Sequence, residues 1–500
     1  MVSLTPAILR KGTPLEGWRL SVLSYNLLAP LYVRPIDERT GDVQAFAAFE
    51  WAEPAAKRLD WAVRRPRLEA ELMASRADVI CLQEVQYEPD PTTGEFKLPS
   101  WLQLAGYTHC IPPQKDLAEI AARNLRVLRS AAAVGNAVLV RDERLEIVES
   151  AGKKDANTKV QLAVKGRGDL AGLGLTAVAS VHLDAKDEEQ RVKALAKCIE
   201  HASSLGTREV IICGDMNSEL LRGSCVSAFL ADEPEPTAEE LERECSSALR
   251  LGDSEGEEAG AARPTVEQVE GWRALWSLAR SSWQQGRVAL ARVPTRGTRA
   301  GYAHGKREGP CVSWALDHIL YTPRTLRLHA HWASLEDDAD SAAAGLPSLT
   351  CPSDHLPIAA VFEPVDPPVL APHRAAELIE SLGALRAAQM EERATLTAEV
   401  EAEQRELEVA EQGGSAAVVS AAAEANEEMQ VAKGKQKSKK KGPPSAAMQA
   451  LLRGSRERQK ALKLAQREAR AAFMLPLDEL QRDALEGSLL NQAEWVERGD

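Results

Sequence analysis

The sequence has little of what marks a secreted, membrane-spanning or disulfide-bonded protein. It contains no run of about eighteen apolar residues, so no membrane span is predicted. The N-terminal segment lacks the apolar stretch of a secretion signal. The eight cysteines include no Cys-x-x-Cys pair, which argues against a disulfide framework or a zinc site. We therefore expect reduced thiols and a cytoplasmic location, with the nucleus as an open alternative.

Aromatic residues and excess positive charge are also scarce. Aromatic residues make up 4% of the chain, and the formal net charge is -13. Few rings leave few platforms on which long single-stranded RNA could stack. The acidic balance means that any contact with nucleic acid must come from a local basic groove or from bound metal ions.

Short apolar runs alternate with helical patterns through most of the chain. Their valine and isoleucine content favours strands over helices. The predicted strands are residues 19–26, 78–85, 136–141, 160–164, 175–183, 209–217, 317–322 and 356–363. Apolar residues recur at helical spacing over 64–75 and 188–204. This alternation predicts an α/β sandwich.

Composition separates a large N-terminal part from a C-terminal extension. Residues 18–365 hold the predicted strands, and within them the acidic, glycine-containing residues 231–265 predict an insertion without fixed structure. The extension begins with a predicted helix over 371–412, rich in Ala, Glu, Arg and Gln. A flexible lysine-rich linker over 413–445 and a C-terminal helical segment over 446–500 are predicted to follow.

The extension could contact other molecules. Its lysine-rich tract could bind a phosphate backbone or a nuclear import receptor, and a solvated spacer is the simpler alternative. Its helices could bind a protein partner. Gln389 and Glu403 interrupt the apolar positions, however, which argues against a sustained coiled coil.

Polar side chains stand at the ends of the predicted strands. Those at or just after the C-terminal end of a strand are Asn26, Glu84, His182 and Asp215. Those at or just before the start of a strand are Asp317, Asp354 and His355. Because the end of one strand lies beside the start of its antiparallel neighbour, both groups can meet at a single rim.

The residue types suit hydrolysis of a phosphate ester assisted by a divalent ion. Mg²⁺ prefers oxygen ligands and retains waters, so few carboxylates suffice, and Mn²⁺ is an alternative. Glu84 is the leading candidate ligand, with Asn26 assisting it and Asp354 near the ion. Such an ion would screen the negative charge of the phosphate.

Five further side chains are candidates for catalysis. Asp215 and Asn217 stand two residues apart, which predicts that both face one side of an extended segment. There Asp215 could orient an attacking water, and the Asn217 amide could donate to a phosphoryl oxygen. His355 could bind the phosphate or act as base, with Asp317 fixing its ring and His182 adding a phosphate contact. Each residue alone has a plain structural explanation, but their shared order is hard to reach by chance.

These segments resemble the endonuclease/exonuclease/phosphatase superfamily, in particular its branch of Ccr-type deadenylases, nocturnin and Angel proteins. The matching segments are SYNLLAP (24–30), ADVICLQEV (77–85), GNAVLV (135–140), VHL (181–183), CGDMNS (213–218), LDHILYT (316–322) and PSDHLPIAAVF (352–362). The resemblance implies a four-layered α/β sandwich, with two mixed, mostly antiparallel sheets flanked by helices and a Mg²⁺ site at the rim. It assigns metal, water and phosphate roles to Asn26, Glu84, Asp215, Asn217, Asp317 and His355.

The chain departs from that branch at several positions. Ser180 stands where the branch typically has Asn, and Val134 where it has an acidic residue. The Trp-Asp-Pro segment of deadenylases is missing after His182, and Trp314 is a displaced counterpart of the aromatic residue that holds adenine. Three functions stay open: a 3′-end-directed ribonuclease or RNA phosphodiesterase, a phosphatase acting on small nucleotides or on terminal or cyclic phosphates, and an inactive RNA- or protein-binding scaffold.

Overall fold

The computed structural model describes most of the chain, in two compact units. The described residues are 6–17, 19–33, 49, 51–52, 55–151, 159–205, 207, 209–252, 264–286, 288–302, 311–333, 345–365, 380–381, 384–385, 387–407 and 446–474. One unit comprises the described residues up to 365, and the other comprises the described helices within residues 367–495.

The first unit contains sixteen described strands and seven described helices. The strands are β1 (Ala7–Leu9), β2 (Leu20–Asn26), β3 (Val79–Pro89), β4 (Phe96–Lys97), β5 (Tyr107–Cys110), β6 (Ala133–Arg141), β7 (Leu145–Ala151), β8 (Lys159–Gly166), β9 (Thr176–His182), β10 (Glu209–Asp215), β11 (Ala291–Arg292), β12 (Arg299–Tyr302), β13 (Cys311–Trp314), β14 (Asp317–Tyr321), β15 (Leu326–Trp332) and β16 (Ile358–Pro364). The helices are α1 (Pro30–Val33), α2 (Ala55–Arg58), α3 (Trp61–Ser75), α4 (Gln114–Leu128), α5 (Glu188–Ser204), α6 (Ala238–Gly252) and α7 (Val266–Gly286).

The strands form two large mixed sheets and one separate hairpin. The first sheet has the order β1-β15-β16-β2-β3-β6-β5, with β4 beside β3, and the second has the order β11-β14-β10-β9-β8-β7. Strands β12 and β13 pair with each other as the hairpin. The pairs β2–β3 and β9–β10 are parallel, whereas β3–β6, β2–β16 and β10–β14 are antiparallel.

Three apolar clusters separate the layers of this unit. The cluster between the sheets contains side chains of both, among them Val22 and Val79 from the first sheet and Val178 and Ile211 from the second. A second cluster packs α3 and α4 on the outer face of the first sheet. A third packs α5, α6 and α7 on the outer face of the second sheet. The predicted four-layered α/β sandwich is therefore confirmed.

Residues 231–265 were predicted to be an acidic insertion without fixed structure, and the lack of fixed structure is wrong over α6. Thr237 and Glu240 form a capping box, since the backbone nitrogen of each donates to the side chain of the other, at 2.8 and 3.3 Å. Leu241 and Cys245, one turn apart, are buried. The helix was not predicted because the segment is acidic, although it has a capping box and an apolar stripe. Residues 253–263 lie outside the described part.

The second unit contains an antiparallel pair of helices, over residues 387–407 and Ala446–Met474. Polar contacts join the two helices. Arg458 donates to both carboxylate oxygens of Glu403 at 2.9 and 2.5 Å, and Gln466 exchanges hydrogen bonds with Gln389. The predicted linker over 413–445 and the continuation beyond 474 lie outside the described residues. No helix in the described part of the chain is long and apolar enough to cross a membrane.

A buried arginine fixes the two loops that lead into the polar rim. Arg64 of α3 is 1% exposed and donates to the carbonyl oxygens of Leu27 and Leu28 at 2.7 Å and of Pro352 at 2.5 Å. Burial lowers its pKa to about 10, which leaves it charged at neutral pH. One side chain thus ties the segment after β2 to the segment before β16.

Replacing this arginine with an apolar residue should destabilise the first unit. Arg64→Met would leave three carbonyl oxygens without their donor, and we expect a loss of about 3–5 kcal/mol in the free energy of unfolding. Arg65→Met, at the exposed neighbouring position, should change it by less than about 0.5 kcal/mol. Urea unfolding measures both, and equal stabilities of the two variants would contradict this role.

Candidate active site

Strand register brings the predicted site residues to one rim of the sandwich. Asp215, the last residue of β10, lies opposite His182 on β9 and opposite Asp317 on β14. On the other sheet, Asn26 ends β2 opposite Gln83, so Glu84 is the next residue along β3. The two sheets meet at this point, because the Asn26 amide donates to Asp215 Oδ2 at 3.2 Å.

Glu84 is aimed into the rim by an irregularity in β3. The register of β3 against β6 shifts between Leu82 and Val85, and Glu84 has a φ of 56°. Such a bulge turns a side chain out of the regular pleat, at a cost of about 1 kcal/mol or more for a left-handed residue. The Glu84 carboxylate accepts hydrogen bonds from the Asn26 amide and from the backbone nitrogen of Ala29, both at 3.0 Å.

Asn26 orients carboxylates on both sheets. Its NH₂ group faces Glu84 and Asp215, and its oxygen accepts from the backbone nitrogen of Leu28 at 3.1 Å. Because ionised carboxylates only accept hydrogen bonds, the amide orientation follows from its partners. The sequence predicted Asn26 as a metal ligand that assists Glu84. In this structure its NH₂ group holds the two carboxylates, and its oxygen, which accepts one backbone hydrogen bond, keeps a second lone pair.

Asp215 lies at the centre of the cluster and is 2% exposed. Its Oδ2 lies 3.5 Å from His355 Nε2 and 3.6 Å from His182 Nε2. Burial alone would raise the pKa of Asp215, but the two histidines outweigh burial and lower it. The Asp215 carboxylate is therefore ionised and ready to accept a hydrogen bond from water.

Asn217 is held by the backbone of a turn. Strand β10 ends at Asp215, and Asn217 has a φ of 46°, so the predicted extended segment is wrong at this point. The Asn217 backbone nitrogen donates to Asp215 Oδ1 at 2.9 Å, and its side-chain amide donates to the Leu183 carbonyl oxygen at 3.0 Å. One amide hydrogen remains to contact a substrate, because the NH₂ group has two.

His355 and Asp317 form a buried hydrogen-bonded pair. His355 Nδ1 donates to Asp317 Oδ2 at 2.7 Å, which leaves Nε2 facing Asp215. Burial lowers the pKa of His355, but the carboxylates of Asp317, Asp215 and Asp354 reverse this and raise it to about 10. The imidazole is thus a cation at neutral pH. This pairing is the one that the sequence predicted.

Asp354 lies between Arg299 and His355. Its Oδ2 lies 3.8 Å from Arg299 Nη2, and its Oδ1 lies 4.0 Å from His355 Nε2. These contacts place it beside His355 rather than in the hydrogen-bonded group of Glu84 and Asn26. Its Oδ1 is buried and accepts no hydrogen bond from the described residues.

Several supporting residues were not predicted. Ser353 donates to the Asn26 carbonyl oxygen at 2.6 Å and accepts from the His355 backbone nitrogen, so it joins the two loops. Thr298 accepts from the Asp317 backbone nitrogen at 2.9 Å. Asn136, a lone polar residue within the apolar GNAVLV run, donates to the Ser180 carbonyl oxygen at 3.2 Å. That run was noted in the sequence, whereas nothing distinguished Thr298.

The polar cluster can accommodate a divalent cation. Asp215, Asp317 and His355 offer ligand atoms that lie within 4.8 Å of one another. Buried oxygens of Asp317 and Asp354 have no hydrogen-bond donor among the described residues, which a cation would remedy. Oxygen donors without thiolates suit a hard ion such as Mg²⁺ or Mn²⁺.

The chain is similar to known proteins over the same range. A family model described as Endonuclease/Exonuclease/phosphatase family matches residues 23–355. Carbon catabolite repressor protein 4 homolog 1 of Arabidopsis thaliana is 22% identical over 378 residues, which cover 70% of this chain and 58% of that relative. This chain therefore spans less than two thirds of the relative's length.

Two solved structures share this similarity. ANGEL2, a 2′,3′-cyclic phosphatase, is 20% identical with a TM-score of 0.45, over 69% of this chain and 94% of that one. The human nocturnin catalytic domain with bound sulfate is 16% identical with a TM-score of 0.35, over 69% and 94% respectively. The matched range includes Asn26, Glu84, Asp215 and His355. This chain belongs to the endonuclease/exonuclease/phosphatase family.

Proposed function

We propose that this protein hydrolyses phosphate esters in RNA with Mg²⁺, as a 3′-end-directed ribonuclease or RNA phosphodiesterase. One observation carries the proposal, which is the set of groups around the Asp215 carboxylate. The Asn26 amide links it to the Glu84 carboxylate, and the charged His355 ring lies 3.5 Å from it. RNA as the substrate rests on the motifs shared with the deadenylase-containing branch.

Two groups of side chains could hold a divalent ion, Glu84 with Asn26 and Asp215 with Asp317 and His355. We place the ion at Glu84. Asn26 and the Ala29 backbone nitrogen orient the Glu84 carboxylate, which is partly accessible at the rim. We assign the ion to this side because the proton shared by His355 Nδ1 and Asp317 Oδ2 makes those atoms partners of each other. When bound, Mg²⁺ supplies charge neutralisation for the phosphate and polarises its oxygens.

The remaining residues have separate roles in hydrolysis. Asp215, ionised and buried, accepts a hydrogen bond from the attacking water and orients it toward phosphorus. His355 presents a charged Nε2–H to a phosphoryl oxygen, where preorganised donors stabilise the developing charge. Asp317 holds the His355 ring in place. His182 Nε2, 3.6 Å from Asp215 Oδ2, provides a further donor.

A phosphatase acting on a small nucleotide or a terminal or cyclic phosphate is the second candidate. The observation in its favour is the position of Trp314, whose ring lies 5.9 Å from the guanidinium carbon of Arg299. The Arg299 guanidinium therefore covers one face of Trp314, the residue that the sequence analysis matched to the aromatic residue that holds adenine. An inactive scaffold is disfavoured, because the chain keeps the whole set that hydrolysis requires, Glu84, Asp215 and His355.

Neutralising either central carboxylate should abolish turnover. We expect Glu84→Gln and Asp215→Asn to lower kcat by about a thousandfold or more, since each removes charge at the reacting centre. Glu88→Gln, on the same strand but exposed, should keep wild-type activity. The assay follows labelled RNA with Mg²⁺, and near-normal rates in either central variant would contradict the mechanism.

Product analysis separates the two candidate activities. Stepwise shortening of RNA with release of nucleotides supports the ribonuclease. Release of inorganic phosphate, or opening of a cyclic phosphate, without loss of nucleotides supports the phosphatase. Chelation of divalent ions should stop either reaction, and full activity in excess chelator would exclude the proposed metal dependence.

The raised pKa of His355 has a measurable consequence for stability. Its folded pKa of about 10 exceeds the unfolded value of about 6.5, so its stabilising contribution is complete below pH 6.5 and is lost as the pH rises through 10. Nitrogen NMR of the histidine rings in chelator should show His355 doubly protonated at pH 8. His318, whose pKa burial lowers to about 4, should be neutral there. A His355 midpoint below pH 7 would contradict the charged pair.

A further inference from the structure

Arg299 is a cation at the edge of the site that the steps above leave unused. Its side chain is 42% exposed, whereas that of His355 is 3% exposed. Its guanidinium donates no hydrogen bond to the described residues. The nearest charged atom recorded for it is Asp354 Oδ2, at 3.8 Å. Its hydrogen-bond donors are thus available to a ligand at the mouth of the site.

The position of Arg299 is set by contacts on two sides. Its backbone pairs with that of His355 in an isolated antiparallel bridge. The preceding residue, Thr298, accepts hydrogen bonds from the backbone nitrogens of Asp317 at 2.9 Å and, through its carbonyl oxygen, of Leu356 at 2.6 Å. The guanidinium lies over the Trp314 ring. Stacking of this kind supports the planar group and leaves its edges free to donate.

Asp354 separates Arg299 from the residues assigned to the scissile phosphate. One Asp354 oxygen faces Arg299, and the other lies 4.0 Å from His355 Nε2. A phosphate that accepts from His355 Nε2 would therefore not occupy the guanidinium, which lies beyond Asp354. The guanidinium is left for another anionic group of the same substrate. Guanidinium groups bind phosphate through two parallel hydrogen bonds, which makes a second phosphate the fitting ligand.

We propose that Arg299 is a specificity-determining residue that binds a second, non-scissile phosphate of the substrate. The site then favours nucleotides with two separate phosphate groups over those with one. This inference rests on the proposed function, since it takes the scissile phosphate to lie at His355. Charge supports it as well: a rim with several carboxylates, on a protein of net charge -13, repels a polyanion unless a cation stands at its mouth.

Calorimetric binding of three adenosine nucleotides tests the inference. The full chain, with Ca²⁺ replacing Mg²⁺, is titrated with adenosine 3′,5′-bisphosphate and with the 3′- and 5′-monophosphates. We expect the wild type to bind the bisphosphate about tenfold or more tightly than either monophosphate. Arg299→Met should reduce that preference to within about twofold, and Arg299→Lys should keep part of it, because lysine retains the charge without the fork.

Arg292→Met is the matched control, an exposed arginine on β11 that donates to the Glu219 carbonyl oxygen. It should keep the wild-type preference. A preference unchanged in Arg299→Met would overturn the inference, and so would an equal loss of affinity for all three nucleotides, which would place Arg299 at the scissile phosphate. Arg299→Gln gives the same reading if the methionine variant lowers the melting temperature.

The binding readout keeps this inference separable from the proposed activity. A wild-type protein that shows the bisphosphate preference but hydrolyses neither RNA nor small nucleotides would contradict the proposed function and still support the role of Arg299. Hydrolysis of RNA by a wild-type protein that does not prefer the bisphosphate would support the proposed function and contradict the role of Arg299.

Discussion

The buried carboxylate of Asp215 is the interaction on which the rest of the site depends. A carboxylate that is almost fully removed from water is costly unless donors or cations surround it. Here the Asn26 amide reaches it from one sheet, His182 comes from the neighbouring strand, and His355 comes from the loop before β16. The charge of Asp215 therefore requires both sheets to end at the same place. Together with the carboxylates of Asp317 and Asp354, it raises the pKa of His355 and keeps that ring protonated.

The sandwich confines this chemistry to its rim. Between the sheets lie apolar side chains such as Val22 and Ile211, so polar groups gather where the strands end. The loops there are held by polar side chains in the interior, with Arg64 donating to three carbonyl oxygens and Ser353 joining the segments of Asn26 and His355. A site that stabilises charge with preorganised donors requires such rigid loops.

Much of the fold and part of the site could be predicted from the sequence. Strands with strong apolar runs, such as β2 and β10, were predicted because burial on both faces leaves a clear signal. The helix α6 was not, because its acidic composition masked a capping box and a narrow apolar stripe. The pairing of His355 with Asp317 followed from residue type. The contacts of Arg299 and Thr298 could not be predicted, because the tertiary packing of the β12–β13 hairpin creates them.

The central claim is that Glu84 and Asp215, from different sheets, serve one divalent ion and one phosphate. Anomalous diffraction from crystals soaked in Mn²⁺ measures this most directly. The account predicts a manganese peak within coordination distance of the Glu84 carboxylate, on the side that faces Asp215. A peak elsewhere, with the Glu84 carboxylate turned away from Asp215 and His355, would contradict it.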